Sequence, residues 1–262
     1  QRGNRAFLMP ENQTQQDSAQ PITEGTRLYD DALKWMEQRQ IVLPDVYYNQ
    51  LTDLERLKAF SVARVTVLDE LAKIHDSLMA AIDKGLTQKD WRDQLLSDPD
   101  LIETLKLSKG RLDNVFRTNI QHAYSAGIAR QQEGERALKR RPFFQYDAIN
   151  DSRTRPAHAA MDNYIARNDD PVWRRWTPIC GYRCRCVRIA LTEAQAVARG
   201  WTGQAKPVPS EPDDGFGVHP LADETHGVQE AINERSKRTG PFWNNPKIQD
   251  QMLSILLDVN NK

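Results

Sequence analysis

All three cysteines of the 262-residue chain, Cys180, Cys184 and Cys186, fall within seven consecutive positions, in the stretch CGYRCRC. A disulfide framework needs cysteines that are spread along the chain, so cross-links between distant segments are excluded as the basis of this fold. The chain must therefore be held together by an apolar core. Hydrophobic residues make up 39% of the sequence, which fits a globular protein and excludes a wholly disordered one.

The charge balance and the hydropathy pattern exclude further classes of protein. The 36 basic residues equal the 36 acidic residues in number, so the chain as a whole has no attraction for nucleic acid. No stretch approaches the roughly 18 consecutive apolar residues of a transmembrane helix, and residues 1–20 lack the apolar segment of a signal peptide. We therefore expect a protein without a membrane partner.

The apolar periodicity changes along the chain and predicts an α+β fold with a mostly α-helical N-terminal half. Leu71, Ile74 and Leu78 recur at steps of three and four, as on a helix, whereas PFFQYDAIN and RCRCVRIAL are typical of strands. The predicted segments are a flexible arm or linker (1–21), a helical domain (22–139), a small α+β module (140–200), an extended Pro/Gly-rich linker (201–221) and C-terminal helices (222–262).

The CGYRCRC stretch is the strongest candidate for chemistry. On a strand, side chains two positions apart face the same side, so Cys184 and Cys186 would present two thiols in one direction, about 6.6–6.8 Å apart at the backbone. This spacing suits two ligands of one metal ion, with Cys180 as a third ligand and His158 as the fourth. The residues alone leave three interpretations open, which are a structural Cys₃His zinc site, inert buried thiols and a local disulfide.

A second cluster, DSRTRPAH, follows a predicted strand. As an active site it would bind phosphate through Arg153 and Arg155 and use His158 as an acid or base. Alternatively, Asp151 and Thr154 cap a short helix and the arginines pair with nearby acids. No HExxH motif, no Gly-rich phosphate loop and no nucleophile with a base accompanies the cluster. We therefore favour the structural interpretation and assign no catalytic residue.

Basic charge is concentrated in the second half of the chain. Between Arg136 and Arg188, twelve Lys and Arg residues stand against five Asp, and Trp173 and Trp176 lie among them. Such a surface could hold a nucleic-acid backbone without sequence specificity, or it could face an acidic protein. The candidate nucleic-acid-binding residues are Arg140, Arg141, Arg174, Arg175, Arg183 and Arg185.

Three stretches together carry a resemblance to a known family. They are FRTNIQHAYSAG (116–127), RRPFFQYDAINDSRTRPAHAAMDN (140–163) and DDPVWRRWTPICGYRCRC (169–186). In this order and spacing they resemble the phage Mu F-like minor head proteins, also called the head morphogenesis family, and the resemblance covers roughly residues 30–191. The motif residues outside the cysteine stretch are Arg117, Asn119, Tyr124, Asp151, Arg153 and Arg155.

The resemblance implies a non-enzymatic, low-copy structural component of a tailed-phage or prophage head. It implies a location in the head interior near the portal vertex, and in the host cytoplasm during assembly. The implied partners are the portal protein, the major capsid and scaffold proteins and non-specific double-stranded DNA. A structural zinc ion is the one cofactor expected. The alternative from another class is a nuclease- or transferase-type toxin that acts through residues 151–158.

Overall fold

A computed structural model describes residues 23–102 and 105–222, so the predicted arm and all but the first residue of the predicted C-terminal helices lie outside the described residues. The helices are α1 (Thr23–Glu37), α2 (Pro44–Asn49), α3 (Asp53–Leu57), α4 (Leu68–Lys84), α5 (Gln88–Leu95), α6 (Pro99–Ile102), α7 (Lys109–Gln132), α8 (Glu135–Arg140), α9 (Pro156–Ala160) and α10 (Glu193–Ala198). The strands are β1 (Gln40–Ile41), β2 (Ala59–Phe60), β3 (Phe143–Asp147), β4 (Ile165–Arg167) and β5 (Val187–Leu191), and a 3₁₀ turn covers Pro171–Arg174.

The α+β class is confirmed, and the helical half follows the apolar stripes of the sequence. Helix α4 buries Leu71, Ile74 and Leu78 in the larger core. It ends at Gly85, whose φ of +61° is the left-handed conformation that stops a helix. The Thr87 hydroxyl then accepts a hydrogen bond from the backbone N–H of the third residue of α5. None of the helices within the described ranges has the length and apolarity to cross a bilayer.

Helix α7 is the longest element among the described residues and contacts α4 and α5 as well as α1. The sequence predicts one helix from about Arg111 to Leu138, but the structure has two, because the chain breaks at Gly134, which caps the start of α8. Helix α7 packs along α1, and Gly127 lies in this contact. A Cβ at Gly127 would lie 3.0 Å from the carbonyl oxygen of Leu28, so a larger residue would push the helices apart.

The module is built on a three-stranded antiparallel sheet with the order β4-β3-β5. The strand predicted in PFFQYDAIN is confirmed over β3, where Phe144 and Tyr146 enter the module core. The strand predicted in RCRCVRIAL begins only at Val187, so the placement of Cys184 and Cys186 on a strand was wrong. The reason is a turn in which the Cys184 N–H donates to the Gly181 carbonyl and Arg183 takes a φ of +58°.

Residues 201–222 contain no helix or strand, and the predicted Pro/Gly-rich linker 201–221 contacts both halves of the protein. Ala205 and Phe216 pack on the core of the module, whereas Val218 and Leu221 pack on the core of the helical half. The segment is therefore a strap across the two halves in addition to a connection.

Arg188 of β5 joins the module to the end of α7. Its guanidinium is 5% exposed and donates to Gln132 Oε1 at 2.9 Å and to Glu133 Oε1 at 2.6 Å. His219 of the strap lies 2.8 Å from the same Glu133 oxygen. Burial raises the pKa of Glu133, but the hydrogen bonds and charges of His219 and Arg188 hold it below its usual value. The carboxylate is thus the counter-charge of a buried arginine.

We expect Glu133→Gln to lower the free energy of unfolding by about 2 kcal/mol, because it leaves the buried Arg188 charge unpaired. Urea unfolding followed by tryptophan fluorescence measures this. The matched control is Glu135→Gln, which removes only the exposed pair with Lys139 and should change stability by less than about 0.5 kcal/mol. Equal effects of the two substitutions would contradict the structural role of Arg188.

Candidate metal centre

His158, Cys184 and Cys186 converge in the core of the module. Pro156 sets the first turn of α9, which carries His158, and the turn before β5 carries the two cysteines. The Nδ1 atom of His158 lies 3.6 Å from the Sγ atom of Cys184 and 3.6 Å from that of Cys186. One ligand atom from each of the three residues lies within 4.8 Å of the others, and all three side chains are buried.

These distances fit a tetrahedral zinc ion. With zinc bonds of about 2.3 Å to sulfur and 2.0–2.1 Å to nitrogen, the ligand sulfur and nitrogen atoms of a tetrahedral site lie about 3.6 Å apart. Both observed S···N separations have this value. The structure thus brings together three of the four predicted ligands. Cys180 is buried nearby and belongs to the same apolar cluster, but it lies outside the group of three.

The other ring nitrogen of His158 faces a carboxylate. Its Nε2 atom is buried without a hydrogen-bond partner, and the nearest acid is Asp213, with Oδ1 at 3.7 Å. Asp213 also pairs with Arg155, whose Nε lies 2.9 Å from Oδ2. Metal-binding histidines commonly direct their second nitrogen toward a carboxylate, which fixes the orientation of the ring. The pair His158 and Asp213 has this arrangement.

Asp213 and Tyr146 are site residues that sequence reasoning missed. Asp213 lies in the strap, 27 positions after Cys186, and no local motif marks it. Its carboxylate approaches Gly181 so closely that any Cβ at that position would clash with it. The Tyr146 hydroxyl lies 3.2 Å from His158 Nδ1. The position of Tyr146 on the inward face of β3 places its side chain in the core, but its contact with the histidine depends on the tertiary structure.

The two neighbouring thiols have pKa values that are shifted apart. Hydrogen bonding from Cys186, together with backbone N–H groups, lowers the pKa of Cys184 to about 6 despite its burial. The same hydrogen bond and burial raise the pKa of Cys186. Burial raises the pKa of Cys180 as well. The cluster therefore offers a thiolate at Cys184 near neutral pH, and a bound metal ion would release the proton of Cys186.

Asp151 holds the cysteine turn through Arg185, which lies between the two clustered cysteines. The Arg185 guanidinium donates to both carboxylate oxygens, at 2.5 and 2.7 Å, and the Arg153 backbone N–H donates at 3.0 Å. The predicted helix cap was wrong, because α9 begins after Arg155 without a side-chain cap. The predicted pairing of the arginines with nearby acids is confirmed by Arg153 with Asp151 and by Arg155 with Asp213.

The predicted motif residues on α7 do not contact the Cys/His cluster. Arg117 is exposed, and Tyr124 meets Tyr29 edge to face at 5.8 Å between ring centroids. Asn119 accepts a hydrogen bond from Arg39 at 2.8 Å and donates to the carbonyl of Val115. Asn119 and Tyr124 therefore make their contacts within the helical half.

The predicted basic surface is partly neutralised. Arg175 pairs with Glu211 and Arg185 with Asp151, while Arg141 donates to the carbonyl of Ala190. Trp173 and Trp176 are buried in the module core and cannot stack on nucleic-acid bases. Of the six candidate arginines, those that are exposed and whose side chains form neither an ion pair nor a hydrogen bond with a described residue are Arg140, Arg174 and Arg183.

Comparison with known proteins finds similarity to phage proteins. Residues 72–189 match the model of a family described as "Phage Mu protein F like protein", which confirms the resemblance read from the motifs. The chain is 32% identical over 165 residues to the "Putative capsid assembly protein F" of Escherichia phage Mu, covering 57% of this chain and 37% of that protein. It is also 32% identical over 167 residues to the "Mu-like prophage FluMu F protein" of Haemophilus influenzae, covering 59% and 39%.

The chain therefore spans less than two fifths of the length of these curated relatives. No solved structure matches it.

Removal of the Asp151 carboxylate should make the free energy of unfolding less dependent on pH in the acidic range. The bonds from Arg185 lower the pKa of Asp151, so the stability that the pair contributes is present above the unfolded pKa of about 3.9 and is lost as the pH falls below it. Asp151→Asn should thus be less stable than the parent protein at pH 7, with a smaller difference at pH 3. Urea unfolding at the two pH values measures this.

The control is Asp169→Asn, which removes an exposed pair with Arg167 at 3.4 Å. This substitution should have little effect at either pH. A pH-independent effect of Asp151→Asn would show that its carboxylate charge does not hold the turn.

Proposed function

Since the chain carries a region of the phage Mu protein F-like family over residues 72–189, we propose that it is a structural component of a tailed-phage or prophage head that acts in head assembly. The observation that carries the proposal is the identity of 32% with the phage Mu protein that is named for capsid assembly. In the finer proposal, the protein is present in low copy, binds the portal or inner capsid surface and has no enzymatic role.

The chemistry of the module supports a structural role over the toxin alternative. His158 is the candidate acid or base of residues 151–158, but its side chain is 2% exposed and its ring is enclosed by thiols, Tyr146 and Asp213. Arg155, the candidate phosphate ligand, pairs with Asp213 and donates to the carbonyl of Tyr182. An enzyme that used this cluster would need these groups to face a substrate.

Quantitative mass spectrometry of purified particles tests the head role. We expect a few to about a dozen copies of this chain per particle, in the range of portal-vertex components, against hundreds of copies of the major capsid protein in the same sample. Precursor heads purified in parallel serve as a second sample, because an assembly protein can leave before maturation. Absence from both kinds of particle would overturn the proposal.

We further propose that His158, Cys184 and Cys186 bind a structural zinc ion. Zinc would supply a cross-link between α9 and the turn before β5, in a module whose own apolar core is small. Cys180, the third cysteine of the predicted ligand set, remains a prediction.

Metal analysis of the purified chain tests the zinc proposal. We expect about one zinc ion per chain, with loss of the metal and of module stability in Cys184→Ala and Cys186→Ala, because each removes a ligand. His219→Ala, which alters a partly buried histidine outside the cluster, is the matched control and should retain zinc. Cys180→Ala decides whether a fourth thiolate is used. A zinc-free chain whose thermal stability does not respond to a chelator would contradict the proposal.

Contact with packaged DNA is a further part of the proposed function. Arg140, Arg174 and Arg183 could bind phosphates, but the buried tryptophans leave only electrostatic contact. Any such binding would be independent of sequence and sensitive to salt.

A further inference from the structure

A cavity of about 360 Å³ lies between the helical half and the strap, and none of the clustered cysteines or His158 lines it. Its walls come from α7, the residues that flank β2, and the strap residues 214–218. Its volume is within the range of pockets that hold small molecules, about 300–1,000 Å³. Neither the head role nor the zinc site accounts for this cavity.

Arg39, in the cavity wall, is a buried cation without a counter-charge among the described residues. It is 7% exposed, and its guanidinium lies over the ring of Trp35 at 4.7 Å. One nitrogen, Nη1, donates to Asn119 Oδ1, but Nε is buried and has no hydrogen-bond partner. No carboxylate of the described chain forms an ion pair with it. A buried charge in this state is costly unless an anion accompanies it.

A second unpartnered polar group belongs to a residue in the wall of the same cavity. The Oγ atom of Ser61 is buried and has no hydrogen-bond partner, and Ser61 lines the cavity together with Arg39. A guanidinium edge and a hydroxyl are both donors, so the acceptor that each of them lacks can be one and the same group. Buried polar groups are normally satisfied, and two orphans in one cavity point to a missing ligand.

The Tyr47 hydroxyl of the wall interacts with the Arg39 side chain but leaves Nε without a partner. The carboxylates and the histidine of the wall do not supply the missing acceptor. Asp53 is engaged by Arg56 at 3.3 Å, and Asp214 is exposed. His122 is kept neutral, because burial and then the charge of Arg39 lower its pKa to about 3.

We propose that this cavity binds a small ligand through an oxyanion, either phosphate or carboxylate, that is held by Arg39 and Ser61. The guanidinium fork matches the geometry of both anions. Aromatic side chains of the wall, Tyr47, Tyr48 and Tyr182, provide apolar surface for the rest of the ligand, which suits a molecule with a ring such as a nucleotide. This site is independent of the proposed head role, so either proposal can fail alone.

Isothermal titration calorimetry on the purified chain tests the oxyanion site. The probes are inorganic phosphate, AMP and glutarate, each at ionic strength matched with sodium chloride. We expect saturable binding of at least one probe; phosphate and AMP without glutarate would identify a phosphate site, and the reverse would identify a carboxylate site. The absence of saturable binding for all three probes would overturn the proposal.

Two substitutions tie the binding to the named groups. Arg39→Met should weaken binding about tenfold or more, and Ser61→Ala about fivefold, as expected for the loss of a charged and a neutral donor. Arg136→Gln on exposed α8 is the control and should bind as the parent protein does. Equal affinity in the parent protein and in Ser61→Ala and Arg39→Met would place any binding elsewhere and overturn the assignment.

The ligand-free stability separates a binding role of Arg39 from a structural one. Arg39→Met removes a buried unpaired charge, so the unliganded variant should be as stable as the parent protein or more stable, while losing the stabilisation that the probe gives. Strong destabilisation of the unliganded variant, with unchanged binding in Ser61→Ala, would show that the guanidinium serves only the fold. If Arg39→Met does not fold, Ser61→Ala alone decides whether the probe binds at this cavity. Loss of an unpartnered hydroxyl leaves the fold intact, so a weaker affinity in this variant reports on binding.

Discussion

The buried Arg188 guanidinium is the interaction on which the arrangement of the two halves depends. It lies on a strand of the module and donates to Gln132 and Glu133 at the end of the longest helix, and to Thr177 in the loop before the cysteines. His219 of the strap contacts the same Glu133. Because the charge has left water, it tolerates only a small displacement of its partners, so four segments are fixed relative to one another.

Contacts between segments also hold the residues of the candidate metal centre in place. His158 comes from a short helix, the cysteines from a turn, and Asp213 from the strap, and no two of these segments are held by shared secondary structure. Tight approach at Gly181 and the pairing of Asp151 with Arg185 fix the turn on both sides. A zinc ion would thus be bound by a site that the surrounding polar contacts already orient, which lowers the cost of ordering ligands on binding.

Sequence patterns predicted the presence of helices and strands more reliably than the residues at which they begin and end. Apolar periodicity predicted α4 and β3, since a buried stripe leaves the same spacing in any globular context. The break at Gly134 and the turn before Val187 were missed, because each depends on how the segment that follows it packs in the tertiary structure. For the site, local spacing identified His158, Cys184 and Cys186, but Asp213 and the unpartnered Arg39 carry no local signal.

By itself, the sequence determined that the protein is built without a disulfide framework, that its first half is helical, and that residues 72–189 match the model of the phage Mu protein F-like family. These properties follow from residue types and short-range spacing. Only the tertiary structure decided that Trp173 and Trp176 are core residues, that the Pro/Gly-rich segment is a strap, and that Arg39 and Ser61 share a cavity. The reason is that burial and pairing of charges depend on contacts between residues far apart in the chain, which spacing along it does not encode.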